Sequence, residues 1–450
     1  MAKANTISLK PSTTQRPWQL FPNLITCLKS YSTLVSHFPD MKKKFIDSLL
    51  LYSLLLIFIL PACNNHSATS QKDTSQLSWN NILKDAKGKS INLIMWQGDL
   101  QINKYMNDYI VPAVKDSFGI TLHISSGQGN QIVSILMSEK EANKNISDID
   151  MCWINGETFY QLRQIDGLFG PFVSKLPNSQ YIDFENPFIK YDFQEPVNGM
   201  ECPWGNVQMC IIYNKDKVNS PPKNRADLEA YVKQNPGRFT IGTDFTGLTF
   251  LKSLLIDIAG GSENLKGKFD ESKYKKYSAQ LWEYINRIKP YFWKEGKTFP
   301  ASVSQIHQMF SQGELYFTMS NNDGEVDNKV GTNTFPKYAA SYVLDGGTIQ
   351  NSHYLGIIKS SGNKAAAMVV CNFMISPAAQ LKKNLSSVWG DGTILNIEKL
   401  PADIKLKFDS VQNRTYGPKR SDIQPKALME LAPEYMIRLN DDFRKYVIEQ

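Results

Sequence analysis

The sequence predicts an α/β protein of two units, each a mainly parallel sheet flanked by helices. Three observations predict it. Strand and helix patterns alternate three times between residues 90 and 165, and the same alternation resumes after residue 205. The apolar runs are continuous rather than alternating, as strands covered on both faces require. A chain of 450 residues with 42% hydrophobic content can also bury two cores of ordinary size.

The chain does not open on that pattern. Residues 1–40 hold Pro11, Pro17, Trp18, Pro22 and Pro39 without a sustained period, and a secretory signal normally begins near the first residue. The stretch "MKKKFIDSLLLYSLLLIFILPACNN", from Met41, has the anatomy of such a signal. Lys42, Lys43 and Lys44 hold one side in the cytoplasm, and an apolar run of about twelve residues is too short for a spanning helix, which needs roughly 20. We therefore expect translation to begin at Met41, with 1–40 a mis-called extension and 41–62 a signal. A long n-region is the alternative. Leu60-Pro61-Ala62-Cys63 resembles the lipobox of bacterial lipoproteins, with Pro61 an unusual occupant, and the resemblance implies cleavage before Cys63 and lipidation of its thiol. An ordinary signal peptide or an uncleaved anchor are the competing readings. Residues 63–78 then read as a polar tether with a reach of roughly 20 Å. Ser78 is an expected N-cap for a short helix ending at Gly88.

The body follows in order. "SINLIMW" (90–96) is a strand, and Ile102, Met106, Ile110, Val114 and Phe118 recur at helical spacing. "GITLHISS" is a second strand, with Ile132, Val133, Leu136 and Met137 marking its helix. "DIDMCWI" is a third strand and "TFYQLRQI" its helix. This order implies right-handed crossovers and a parallel sheet, which binds ligands beyond its strands' carboxyl ends. Here those ends carry Trp96-Gln97-Gly98 and Trp153 to Glu157. Farther on, "GNVQMCIIYNKDKV" reads as one long strand and "NRADLEAYVKQNP" as a helix. "GRFTIGTDFTGLTFLKSLLIDIAGG" reads as strand, loop and helix, capped by Asp244 or Thr246, so that its free N–H groups face a ligand. "QIHQMFSQGELYFTMSNN" is a helix and a strand ending at Asn321-Asn322. "NSHYLGIIKSS" precedes a long helix.

Charge and cysteines narrow the function. Five of the seven net positive charges precede residue 63, so the basic balance is a targeting feature and nucleic-acid binding loses its support. Cys152, Cys202, Cys210 and Cys371 match no metal spacing, and buried free thiols are the plainer reading of those in apolar runs. GxSxG, HExxH and the GxxxxGK[ST] phosphate loop are absent, and His66, His123, His307 and His353 lack ligand spacing. A nucleophile with a distant partner remains the enzymatic alternative.

Several motifs resemble those of the extracellular solute-binding proteins of bacterial ABC importers, the large two-lobed class. "IIYNKDKV" (211–218) resembles the crossing into the second lobe, and "AAAMVVCNFMISPAAQLKK" (365–383) the helix near the return. "DIDMCWINGETFYQLRQIDGLFGPF", "PWGNVQ", "PGRFTIGTDFTGLTFLK" and "VWGDGTILNIEKLP" are similar to one subgroup, whose ligand is sometimes given as thiamine. The resemblance spans about 88–445. It implies a periplasmic-binding-protein-like fold of type II, with lobe one at 88–200 plus 340–395 and lobe two at 201–339 plus 396–450. It also implies a crevice that closes by hinge motion. A separate permease and ATPase, a small-molecule solute, a monomeric state, no cofactor and anchoring at the cell envelope are implied with it.

Candidate ligand contacts are Trp96, Gly98, Asn155, Glu157, Trp204, Asp244, Phe245, Thr246, Asn321 and Asn351. Trp96 and Trp204 offer aromatic faces for a ring or a cation, or else plug the core beneath the crevice; Trp153 reads as core. Glu157 is a ligand carboxylate or a first-turn helix charge. Asp244, Phe245 and Thr246 can cap a helix and line a site at once. Asn321, Asn322, Asn351 and His353 offer hydrogen bonds near a hinge, as loop residues commonly do. Tryptophans with Glu157 and Asp244 suit an organic cation such as thiamine or a polyamine; asparagines suit a sugar as well. A lipoprotein receptor for a protein partner or a sensor is the third reading.

Overall fold

The computed structural model describes residues 74–411 and 414–450. The expected leader, Cys63 and most of the tether lie outside the described residues. Asp73–Gln450 form one compact unit. A helix runs Trp79–Ala86, with Ser78 at its N-cap position but making no side-chain cap.

Eleven strands follow among the described residues. β1 (Ser90–Met95), β2 (Thr121–Ser126) and β3 (Met151–Ile154) alternate with helices. A small hairpin, β4 (Tyr191–Asp192) and β5 (Glu195–Pro196), precedes β6 (Glu201–Gln208) and β7 (Cys210–Asn214). β8 (Phe317–Ser320), β9 (Ala339–Tyr342), β10 (Thr348–Ile357) and β11 (Ala427–Leu428) complete the set.

The main sheet runs β2-β1-β3-β10-β6. β1 pairs in parallel with β2 and β3, while β10 is antiparallel to β3 and β6. Along β1, Ile91, Leu93 and Met95 enter one core and Ile94 enters another on the opposite face. That two-sided burial is why the apolar run is unbroken.

A second sheet, β8-β7-β9, departs from the expected mainly parallel arrangement, because β7 is antiparallel to both neighbours. It packs into a core with the helices Phe245–Ile258, Glu271–Ile288 and Pro433–Phe443. The strand expected at 238–242 does not join either sheet. Phe239 and Ile241 are buried, but the backbone here bonds to loops, with Trp293 N–H donating to Phe239 O and Tyr316 N–H to Arg238 O.

The expected single strand at 205–218 breaks at Met209. β6 belongs to the first sheet and β7 to the second, so the chain crosses between lobes there. β10 is a second crossing: Ile349 lies in the second lobe's core and Leu355 in the first. The third follows the helix Ala402–Val411, whose Phe408 packs in the first core, and ends at β11 beside β10. Long-range pairing, not local composition, decides where each strand changes sheet.

Asp323 ties two of these crossings. Its carboxylate, fully buried, accepts the Gln208 N–H at 2.8 Å and lies 2.6 Å from Arg420 Nη1 and 2.6 Å from Arg414 Nη2. Burial alone would raise its pKa, but the two guanidiniums hold it below the usual range. Its contribution is therefore complete above the ordinary value of 3.8 and is lost as pH falls through the depressed one. Asp323→Ala leaves the guanidiniums uncompensated and is expected to cost about 3–5 kcal/mol, measured as a lower urea midpoint with an unchanged slope.

Candidate ligand-binding site

The site is built from loops at the carboxyl ends of β1 and β3, facing helix N-termini of the second lobe. Met95 pairs with Ser126 and Ile94 with Cys152. Trp96 therefore emerges beside Gly127 on one side and Ile154-Asn155 on the other. A depression of about 400 Å³, lined by Ile94, Ser126, Asn130, Gln131, Ser134 and Ile135, opens at the ends of β1 and β2.

Trp96 is half-buried, and its indole lies over Gly98. A Cβ at position 98 would fall 2.4 Å from Trp96 Cζ2, so the ring position requires glycine. Gln97 O accepts from Asn103 Nδ2 at 2.9 Å. Asp99 caps the helix Leu100–Lys104 by accepting from the Gln101 and Ile102 N–H groups.

The same loop touches the second lobe twice. Ser304 Oγ donates to Gly98 O at 2.7 Å, and Lys329 pairs with Asp99. Lys329 also pairs with Glu325 at 3.2 Å. Burial would raise the Asp99 pKa, yet the Lys329 ammonium and the capping N–H groups hold it down.

Asp244 organises the facing wall. One oxygen accepts from Gly247 N–H at 3.2 Å, capping the helix Phe245–Ile258. The other accepts from Val303 N–H at the start of the helix Val303–Ser311. One carboxylate thus holds two helix N-termini against Gly98. Burial raises its pKa, opposed by those N–H groups. Thr246 is buried, with its hydroxyl accepting from Asn321 Nδ2 at 3.0 Å; Asn321 Oδ1 has no partner among the described residues.

Phe245 connects this wall to a cluster of charges. Lys252, one helical turn or two farther on, lies 5.3 Å from the Phe245 ring centroid and 4.2 Å from that of Phe193. Its ammonium is 2.6 Å from Glu430 Oε2, and Asn351 Nδ2 donates to Glu430 Oε1 at 2.9 Å. Phe193 sits in the β4–β5 turn, where it presses on Gly156: a Cβ there would meet the Phe193 ring at 2.1 Å. Glu157 is half-buried, has no ion pair within 4 Å among the described residues, and feels the Lys252 charge. Burial raises its pKa, with Lys252 opposing.

Trp96, Gly98, Asn155, Glu157, Asp244, Phe245 and Asn321 therefore stand along one seam. Trp204 does not. It is fully buried and packs edge-on against Trp153 (5.1 Å) and beside Trp389 (5.3 Å), because it lies in the middle of β6, which is buried along its whole length, rather than beyond a strand end. Thr246 and Asn351 use their polar groups internally. His353, also near the hinge, is tied to Asp391 at 3.1 Å. Asp99, Lys252, Phe193, Lys329 and Glu430 escaped the sequence reading, although a lysine inside "FLKSLLIDI" is a legible anomaly. Cys152 and Cys210, expected as thiols, are buried and unpaired, and so are Cys202 and Cys371.

A family model described as bacterial extracellular solute-binding protein matches residues 109–405. The chain is also 33% identical to Protein YnjB of Escherichia coli (strain K12) over 332 residues, 73% of this chain and 85% of that protein. The chain belongs to the bacterial extracellular solute-binding family. The fold agrees. The spermidine/putrescine ABC transporter substrate-binding protein PotD from Streptococcus pneumoniae superposes with a TM-score of 0.55 at 15% identity, covering 80% of this chain and 98% of that one. Iron-bound HitA from Pseudomonas aeruginosa gives 0.54 at 15% identity, covering 78% and 98%. The fold of the solute-binding protein is thus periplasmic-binding-protein-like. No described helix is long and apolar enough to cross a membrane.

Beneath the seam lie two acids with unsatisfied carboxyl oxygens among the described residues. Glu201 is fully buried with both oxygens unbonded, and Asp192 Oδ2 is likewise unpartnered. Burial, then their mutual repulsion, raises Glu201's pKa well above 4.5; burial, then Glu430, does the same for Asp192. A raised acid stabilises the fold fully below its unfolded pKa and loses that contribution as pH climbs through the folded one. Glu201→Gln is therefore expected to flatten the fall of Tm as pH rises above the ordinary value of 4.5, followed by calorimetry across a pH series.

Proposed function

We propose that the solute-binding protein captures a small organic cation of the thiamine or polyamine type in this seam and delivers it to an ABC permease, while a lipid on Cys63 holds it at the cell envelope. The observation that supports the cation is Glu157. It is a carboxyl group without an ion pair on the first lobe's rim, on the same seam as the indole of Trp96 and the ring of Phe245. A positive group placed there gains a carboxylate and an aromatic face together. Closure follows, because contacts from both lobes, such as Ser304 to Gly98, form only when the lobes meet. The lipid anchor rests on the Leu60-Pro61-Ala62-Cys63 pattern, and the monomeric state on a body that closes both its cores within one chain.

Thermal unfolding with thiamine, putrescine, spermidine, maltose and ferric salts tests the solute class. A true solute at about 100 times its Kd adds roughly 2.7 kcal/mol, a shift of several degrees. Trp96→Ala and Glu157→Gln are expected to abolish that shift while leaving the unliganded Tm within about 1–2 °C. Saturation by maltose alone would favour a sugar, and an undiminished shift in both variants would remove the seam from the account.

A further inference from the structure

We propose that Lys252 is the resident occupant of an ammonium cage at the inner end of the seam and determines solute specificity there, so that truncating it leaves a binding site for a primary alkylammonium ion. The inference rests on the seam being the solute site but not on which solute it takes.

The cage comes from both lobes. Phe193, from the β4–β5 turn, and Phe245, both packed in the second core, flank the ammonium at 4.2 and 5.3 Å. Glu430 supplies the charge at 2.6 Å and is itself oriented by Asn351. Glu157 and Asp192 face the same ammonium from the first lobe, with Glu201, Arg163 and Tyr354 in the ring of charges behind Asp192. Aromatic faces with a carboxylate are what a free organic ammonium would select.

The lysine is an expensive choice for that position. Its neighbours Leu251, Leu254 and Leu255 are buried in an apolar core, and the Lys252 side chain is wholly buried. Buried ion pairs are commonly matched in stability by apolar residues of similar volume. What the lysine does supply is occupancy. It fills the cage with a tethered cation, so an incoming solute places its own charge at the rim beside Glu157 instead.

Lys252→Ala removes three methylene groups and the ammonium, the shape of n-propylammonium. Unfolding of purified Lys252→Ala is measured against n-propylammonium chloride, with sodium chloride, 1-propanol and tetramethylammonium chloride at equal concentration. The expected result is a saturable rise of roughly 2–4 °C with n-propylammonium only, and none in the wild type. An equal response to sodium chloride or propanol, or no response, overturns the proposal. Lys252→Met keeps the volume without the charge. Its Tm is expected to fall more steeply than the wild type's as pH rises, because Glu430 and the facing acids lose their cation, and an unchanged profile overturns the proposal. If the alanine variant does not fold with or without the amine, the methionine profile decides. The natural-solute panel on the wild type is independent: it can fail while the amine result stands.

Discussion

The carboxylate of Asp323 is where the two lobes are held in register. It sits just after β8 in the second lobe, yet its oxygens are claimed by Gln208 at the end of β6 and by Arg414 and Arg420 on the last crossing. Arg420 also reaches Asn206 Oδ1 at 2.7 Å, so β6 and the last crossing are fixed to each other as well as to the acid. The following helix, Glu325–Gly331, extends the grip. Asp327 accepts three N–H groups from Thr415, Tyr416 and Gly417, while Asn328 donates to Ser386 O and Val388 O of the first lobe. A short polar segment thereby positions two of the three segments that pass between the cores.

The seam inherits its geometry from that anchor. Lys329 leaves the same helix to meet Asp99, which fixes the start of the helix behind the Trp96 loop. On the far side, Phe193 and the helix Pro433–Phe443 close against the helix Gly156–Gln164. The two ends use different physics. One is an ion pair and a hydrogen bond at a rim where Gly98 and Ser304 remain exposed. The other is an apolar wedge with a buried charge.

Much of this architecture was legible in the sequence, and the failures share a cause. β1 and β3 announced themselves because both faces are buried, and β2 because it alternates with helices of clear period. The break at Met209 did not, since "NVQMCIIY" is uniformly β-favouring and only distant groups, Asp323 and Ile349 O, divide it. Residues 238–242 have strand composition but lack a free sheet edge to join. Trp96 and Trp204 looked alike as tryptophans near strand ends. What separates them is position: Trp204 lies in the middle of β6, which is buried along its whole length, and Trp96 beyond the end of β1. The charged partners across the seam are separated by up to 230 residues, as with Asp99 and Lys329, beyond the reach of any local pattern.

The order of the main sheet bears on how the chain comes into being. β10 lies between β3 and β6, yet both are synthesised long before it. Until β10 arrives, β3 and β6 each expose an unpaired edge, and the first core still lacks the helix Lys364–Met374 and Phe408. An emerging chain therefore cannot complete one lobe and then the other, as contiguous domains do. Its folding waits on non-local pairing delivered near the carboxyl end, which makes it slow. For a protein of an extracellular family, that delay is useful: the chain stays threadable until most of it has been delivered to the compartment where it works.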